Sequence, residues 1–300
     1  MSATTAPSRR FLLTLLVVLW LVWGTNWGLI PLAMREVSVW SFRASSCLLA
    51  GLVLLAVARW RGLPLHVPRA QWPTIAVATC FYLVLWNVAS ALAAVLIPSG
   101  QAAVLGFTMP LWAALIGWLL LGERLGRRMV AALALGAAAV ALLAWRGMSA
   151  YAQAPLGVAL ALLAALGWAV GTLILKRGRV TVPALVLTGW QLLGTAVPLG
   201  AVALAQLQGP PALPSWPSVA VIVYIALVPM AVGNWCWFVI VGELPASVAG
   251  MSSIMVPVLA MVSGALMHGE PLGAVQLAAM ACSGAGLWLA LARPAPSGQR

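Results

Sequence analysis

The sequence predicts an all-α integral membrane protein in which ten transmembrane helices form two inverted five-helix repeats, with the N- and C-termini both cytoplasmic. Three observations carry this prediction: the composition, the placement of the positive charges and an internal repeat. Of the 300 residues, 64% are hydrophobic and 7% are charged, whereas soluble globular proteins average about 25% charged residues. A chain of this composition is expected to be embedded in the lipid bilayer, which is its predicted partner together with a small-molecule substrate.

Ten apolar stretches are long enough to be membrane spans. A helix needs about 20 mostly apolar residues to cross the hydrocarbon core, and it bonds its backbone polar groups internally. Charges, prolines and polar clusters separate the stretches. Their predicted ranges are 11–32, 38–58, 72–94, 98–121, 128–145, 155–175, 184–206, 217–240, 246–267 and 273–292.

The positive charges predict the orientation of these spans. The chain carries 16 Lys and Arg against four Asp and Glu, for a formal net charge of +12. With the N-terminus inside, 13 of the 16 basic residues fall in cytoplasmic segments, while Arg35 and Arg146 fall outside and Arg43 lies within a span. This asymmetry follows the positive-inside rule. Because the basic residues are dispersed between apolar stretches, nucleic acid is not an expected partner.

An internal repeat predicts that the second half of the chain is inverted. A shift of 147 residues superposes 98–126 on 245–273, and ten of these 29 positions are identical, including Pro110 with Pro257. Each repeat holds five spans, an odd number, so the second repeat enters the membrane upside down. Inverted repeats are the architecture of alternating-access transporters, whose substrate site lies near the midplane between the halves.

The repeat also predicts the organisation of the chain. It comprises a cytoplasmic N-terminal segment (1–10), a first five-helix repeat (11–146), a linker (147–154), an inverted second repeat (155–292) and a cytoplasmic tail (293–300). Because one chain contains both repeats, the predicted oligomeric state is a monomer. A homodimer stays open as an alternative.

Short motifs, several of them duplicated, resemble those of the drug/metabolite transporter superfamily. They are Trp23-Gly24-Thr25-Asn26-Trp27, Arg43, Pro110-Leu111, Gly122-Glu123-Arg124-Leu125, Trp168, Gly171-Thr172, Gln191, Trp237, Leu244-Pro245-Ala246-Ser247, Pro257 and Gly269-Glu270-Pro271-Leu272. The chain is similar to ten-span EamA-type members and most similar to the YddG-type aromatic amino-acid exporters. This resemblance implies export of aromatic and other neutral amino acids across the cell inner membrane, with aromatic cations such as paraquat as a second substrate class. Met109 departs from the pattern, since an aromatic residue is expected there.

Aromatic side chains inside the spans are candidates for a substrate cavity. Trp23, Tyr82, Trp86, Trp168 and Trp237 all fall well within predicted helices. Tyr82 and Trp86 are four residues apart and so share a helix face. An aromatic wall stacks on a substrate ring and attracts cations to its π faces. The competing interpretation is that these rings fill space between helices or face lipid.

Two amides occupy equivalent positions in the repeats. Asn87 aligns with Asn234 under the 147-residue shift, which predicts that they face each other across the pseudo-two-fold axis and bind a carboxylate or ammonium group. Hydrogen bonding between helices, without substrate contact, is the alternative. For Arg43, about five residues into its span, we expect a structural role with a snorkelling side chain rather than substrate recognition.

Three positions are predicted to permit helix movement. Pro110 and Pro257 each remove a backbone hydrogen bond in mid-span, and Gly24 lets helices approach or bend. Such features suit helices that rock between two states, although static bundles contain them too.

The placement of the acids predicts how transport is driven. The chain has no Asp, and Glu36, Glu123, Glu243 and Glu270 all lie at span ends. A proton-coupled antiporter normally needs a buried ionisable group, so we expect a facilitator. A proton-coupled antiporter, a channel and a lipid scramblase stay open as alternatives. No motif for catalysis, metal binding or a cofactor is present.

Overall fold

All the regular secondary structure in the described part of the chain is helical, and no strand is present there. A computed structural model describes residues 9–26, 29–97, 99–122, 125–145, 148–207, 214–244, 249, 253, 255–268 and 273–291. Most of the predicted tails, as well as Glu123 and Glu270, lie outside these ranges.

Thirteen helices lie in the described residues, in chain order. They are α1 (Arg9–Gly24), α2 (Ile30–Ala33), α3 (Val39–Trp60), α4 (Arg69–Leu96), α5 (Ser99–Gly106), α6 (Met109–Leu121), α7 (Arg127–Trp145), α8 (Met148–Gln153), α9 (Pro155–Arg177), α10 (Ala184–Ala205), α11 (Trp216–Glu243), α12 (Met255–His268) and α13 (Ala274–Leu291).

Within the described residues, seven helical segments are long and apolar enough to cross a membrane, counting Ala102–Leu120 across α5 and α6 as one. The other six are α3, α4, α7, α9, α10 and α11, and α1 and α13 are shorter apolar helices. The predicted all-α membrane protein is therefore confirmed. The count of ten spans and the orientation of the termini stay predictions.

Two predicted spans are not continuous helices. The span predicted over 98–121 is interrupted at Phe107 and Thr108. The cause is Pro110, which has no N–H group and whose ring would clash with the carbonyl of Gly106 four residues earlier. Pro110 therefore lies in the first turn of α6, where its missing N–H is tolerated. The span predicted over 11–32 likewise ends at Gly24, before the single turn of α2.

Helices at equivalent positions of the two repeats pack against each other. α3 packs along α10, and α7 packs along α13. α9 packs against α4, α5 and α6, while α1 lies against α11 and α12. The main buried core runs through the central helices of both repeats, and this arrangement leaves a cavity where α1, α3, α4, α9 and α11 come together.

Candidate functional site

A cavity lies where helices of the two repeats meet. It encloses about 60 Å³ of space that a water-sized group can occupy, well below the roughly 300–1,000 Å³ of sites that hold small molecules, so a ligand of that size requires its walls to move apart. The lining residues are Trp23, Asn26, Ile30, Arg43, Leu83, Trp86, Asn87, Ser90, Phe107, Met109, Trp168, Pro229, Met230 and Asn234. None of these described lining residues is acidic or a histidine.

Trp168 on α9 is the centre of an aromatic cluster in the cavity wall. Its ring centroid lies 5.4 Å from that of Trp23 in an edge-to-face arrangement and 4.8 Å from that of Trp86. The same ring lies 4.1 Å from Tyr82 and 5.7 Å from Trp237. Aromatic pairs in tilted and edge-to-face arrangements are stabilising beyond the area they bury, so four neighbouring rings restrain the Trp168 indole.

The residues predicted to contact substrate fall into two layers. Five of the seven line the cavity: Trp23, Trp86, Asn87, Trp168 and Asn234. Tyr82 is 0% exposed and Trp237 is 1% exposed, and neither lines the cavity. Because both rings contact Trp168, they support the wall from behind.

The two predicted amides share one local arrangement. Nδ2 of Asn87 donates to the carbonyl oxygen of Leu83 at 2.8 Å, and Nδ2 of Asn234 donates to that of Met230 at 2.9 Å. Oδ1 of Asn234 also accepts a hydrogen bond from the Tyr82 hydroxyl at 3.2 Å. Each amide NH₂ group is thus bonded within its own helix, and its oxygen is left to bond elsewhere.

A π-helical turn lies just before each of these amides. The turns cover Cys80–Leu85 in α4 and Ala226–Gly233 in α11, and the 147-residue shift nearly superposes them. Such turns leave the regular helical bonding pattern and are frequent at functional sites. In the second turn the carbonyl oxygen of Pro229 accepts a hydrogen bond from Nε1 of Trp23 at 3.0 Å, which joins α1 to α11.

The cavity concentrates polar atoms that have no partner. Of the eight buried side-chain atoms without a hydrogen bond in the described residues, five belong to the lining. These are Asn26 Oδ1, Arg43 Nε, Asn87 Oδ1, Ser90 Oγ and Trp168 Nε1. Buried polar groups are normally paired, so this concentration of unpaired donors and acceptors points to a ligand site.

Arg43 differs from its predicted surroundings. This side chain was predicted to snorkel to the membrane surface, but it is only 6% exposed and lines the cavity. Arg43 is the fifth residue of α3, on a face that is buried in the packed interior. The cavity is consequently not neutral, because it contains one cationic group.

Other predicted residues take packing positions. A Cβ added at Gly24 would lie 2.5 Å from Cβ of Leu259, so only glycine permits the observed approach of α1 to α12. Gln191 does not line the cavity, and its Nε2 donates to Thr79 Oγ1 at 3.0 Å. Pro257 is the third residue of α12.

The chain matches a known protein family over nearly its whole length. The model of the EamA-like transporter family matches residues 10–145 and matches again at 155–292. The chain belongs to the EamA-like transporter family. The resemblance to the drug/metabolite transporter superfamily is confirmed at this level, whereas the YddG-type subfamily stays a prediction.

Two further comparisons agree with this EamA-like assignment. The chain is 27% identical over 273 residues to a protein described as the uncharacterized transporter YvbV of Bacillus subtilis (strain 168), covering 89% of this chain and 86% of YvbV. A solved crystal structure with 22% identity has a TM-score of 0.77 and covers 95% of this chain and 98% of its own. That second likeness shows the fold alone.

Sequence reasoning on this EamA-like chain missed the π-helical turns, Ser90, Phe107 and the burial of Arg43. No periodicity in the sequence distinguishes a buried Arg43 from a snorkelling one.

Proposed function

We propose that this EamA-like transporter carries aromatic and other neutral amino acids across the cell inner membrane, in the export direction, by alternating access. The single observation that carries the proposal is the cavity between the repeats, which combines an indole wall with unpaired hydrogen-bond donors and acceptors. Indole and phenyl side chains stack on such a wall, while a zwitterionic backbone requires both donors and acceptors.

The packed aromatic layer behind Trp168 supports alternating access. Behind Trp168, the rings of Tyr82, Trp237 and Phe238 are packed and buried. Nearby, the Lys176 ammonium donates to the carbonyl oxygens of Val241 and Leu244 at the end of α11. With the predicted orientation, this end faces the cytoplasm, and a second cavity of about 440 Å³, lined by residues that include Lys176, Phe238 and Val241, lies there. Gly24, Pro110 and Pro257 remain the proposed positions at which the helices bend during closure.

A facilitator mechanism is proposed because no carboxylate or imidazole is present among the described residues that line the cavity. A bound proton therefore has no acceptor there that titrates near neutral pH. The substrate's own gradient is the driving force in this scheme, without a cofactor. A single polypeptide supplies the whole cavity, so the proposed functional unit is the monomer.

Uptake into proteoliposomes tests the proposed function. The purified protein is reconstituted and a panel of radiolabelled amino acids is supplied together with paraquat, with protein-free liposomes as the control. We expect saturable uptake of tryptophan and phenylalanine and weaker uptake of aliphatic amino acids. Uptake of paraquat without uptake of any amino acid would contradict the proposal.

A further inference from the structure

The unusual group in the cavity is the guanidinium of Arg43. The residue is 6% exposed, it lines the cavity, and its Nε has no hydrogen-bond partner. Its Cζ lies 4.9 Å from the centroid of the Phe42 ring. Because no acidic residue is found among the described lining, no carboxylate of the protein balances this charge within the cavity.

A buried charge without a counter-charge is unfavourable for folding, because removal of an ion from water is costly. Ionisable residues inside membrane proteins are therefore rare and commonly mark a substrate pathway. A guanidinium is suited to a carboxylate, since its planar N–H groups match the two carboxylate oxygens. The ligand of this cavity is accordingly expected to bring the missing negative charge.

Two polar atoms of the cavity wall are suited to the ammonium group of a zwitterionic ligand. Oδ1 of Asn26 and Oδ1 of Asn87 are acceptors without a partner. The orientation of the Asn87 amide is set by its own bond, because Nδ2 must be the atom that donates to the Leu83 carbonyl. Its oxygen is then free to accept a hydrogen bond from an ammonium group. Trp168 lines the same cavity and offers a ring on which the side chain of the ligand stacks.

We propose that Arg43 determines specificity by binding the α-carboxylate of the transported amino acid, while the oxygens of Asn26 and Asn87 accept hydrogen bonds from its α-ammonium group. This inference rests on the proposed function, since it assigns a binding role within the same cavity. It also disfavours paraquat, because a guanidinium without a counter-charge repels a dication.

The decisive comparison uses ligands that differ only in the carboxylate. Phenylalanine, phenylalaninamide and phenylalanine methyl ester share the ring and the amino group, but only phenylalanine carries a carboxylate. Competition by each compound against uptake of labelled phenylalanine is measured in proteoliposomes of the wild-type protein. We expect phenylalanine to compete at least tenfold better than the amide and the ester. Equal competition by all three would overturn the inference even if every variant failed to fold.

Two variants locate the effect at Arg43. R43Q removes the charge and R43K keeps it without the planar fork, while R35Q serves as a matched control because Arg35 is exposed and lies outside the cavity. In R43Q we expect the preference for the free carboxylate to fall at least tenfold, with partial retention in R43K and no change in R35Q. Each variant is checked by thermal unfolding in detergent.

The outcomes separate this inference from the proposed function. If the wild-type protein transports no amino acid, the proposed function itself is wrong and the inference falls with it. If amino acids are transported but R43Q keeps the wild-type preference for the carboxylate, Arg43 has only a structural role and the proposed function stands.

Discussion

The hydroxyl of Tyr82 donates a hydrogen bond of 3.2 Å to Oδ1 of Asn234 and thereby connects α4 of one repeat to the equivalent helix of the other. Both side chains are buried, with exposures of 0% and 3%. The bond lies directly behind Trp168, whose ring contacts that of Tyr82. It therefore joins the two repeats at the base of the cavity.

Removal of this hydroxyl should weaken the junction without removing the ring. In Tyr82→Phe, Oδ1 of Asn234 loses its donor, and an unsatisfied buried acceptor costs about 1–3 kcal/mol. We expect a lower unfolding temperature in detergent, whereas Tyr224→Phe, on a half-buried tyrosine of α11, should leave it nearly unchanged. Equal unfolding temperatures for the two variants would show that the bond does not hold the repeats together.

The approach of Trp23 to Gly233 predicts a steric effect on the cavity wall. A Cβ at Gly233 would lie 2.3 Å from Nε1 of Trp23, whereas one at Gly242 of the same helix would meet nothing within 4 Å. Gly233→Ala must therefore displace Trp23 and break its hydrogen bond to Pro229, at a cost of about 1–3 kcal/mol. We expect slower transport and lower stability than in Gly242→Ala, measured by uptake and thermal unfolding. Matching values in both variants contradict this account of the wall.

Loss of the central indole should abolish the ring-binding surface. Trp168→Ala removes the ring that contacts four aromatic neighbours, and truncation of a buried tryptophan costs about 3–5 kcal/mol. Trp168→Phe keeps a smaller ring and tests binding with less disruption. We expect affinity for tryptophan to fall at least tenfold in Trp168→Phe, whereas Trp288→Phe, at a tryptophan that is 70% exposed, should behave as wild type. Wild-type affinity in Trp168→Phe would remove this ring from the substrate site.

The surface carboxylate of Glu36 makes the stability of the protein depend on pH in a predictable direction. Glu36 accepts hydrogen bonds from the backbone N–H of Ser215 at 2.6 Å and from its hydroxyl at 2.8 Å. These bonds, together with one from Ser218, lower the pKa of Glu36 below its ordinary value of 4.5. A carboxyl group whose pKa is lowered by folding stabilises the folded state above its unfolded pKa and loses that contribution as pH falls through the folded pKa.

The corresponding experiment compares wild type with Glu36→Gln. At pH 7 the wild type should unfold at the higher temperature, and the difference should shrink as pH falls below 4.5, the ordinary pKa of the group. Thermal unfolding in detergent between pH 7 and pH 3 follows this directly. A difference that is independent of pH would mean that the charged form of Glu36 is not favoured by its bonds to Ser215.

The membrane class and the helix-forming segments were predictable because they depend on composition and on the length of apolar runs. The break before Pro110 was not predicted, because whether proline kinks or interrupts a helix depends on how neighbouring helices satisfy the freed carbonyls. The burial of Arg43 depends in the same way on tertiary packing. In an apolar span nearly every helix face is hydrophobic, so periodicity does not identify the face that lines a cavity.

The candidate site was partly predictable for a different reason. Asn87 and Asn234 stand out because polar residues are rare in the spans, and the 147-residue repeat links them. Tyr82 and Trp237 were grouped with the lining residues since aromatic character alone does not distinguish a ring at the cavity surface from the ring behind it. The rotation of each helix about its axis decides whether a ring lies at the cavity surface or behind it. The sequence pattern does not determine that rotation.

The central claim, facilitated transport of amino acids through the cavity between the repeats, is tested most directly by counterflow. Proteoliposomes loaded with unlabelled tryptophan are diluted into a trace of labelled tryptophan, with no ion gradient and the membrane potential clamped. We predict transient accumulation of label above the outside concentration, unchanged by an imposed pH gradient. Absence of counterflow unless a proton gradient is applied would contradict the account and favour a proton-coupled antiporter.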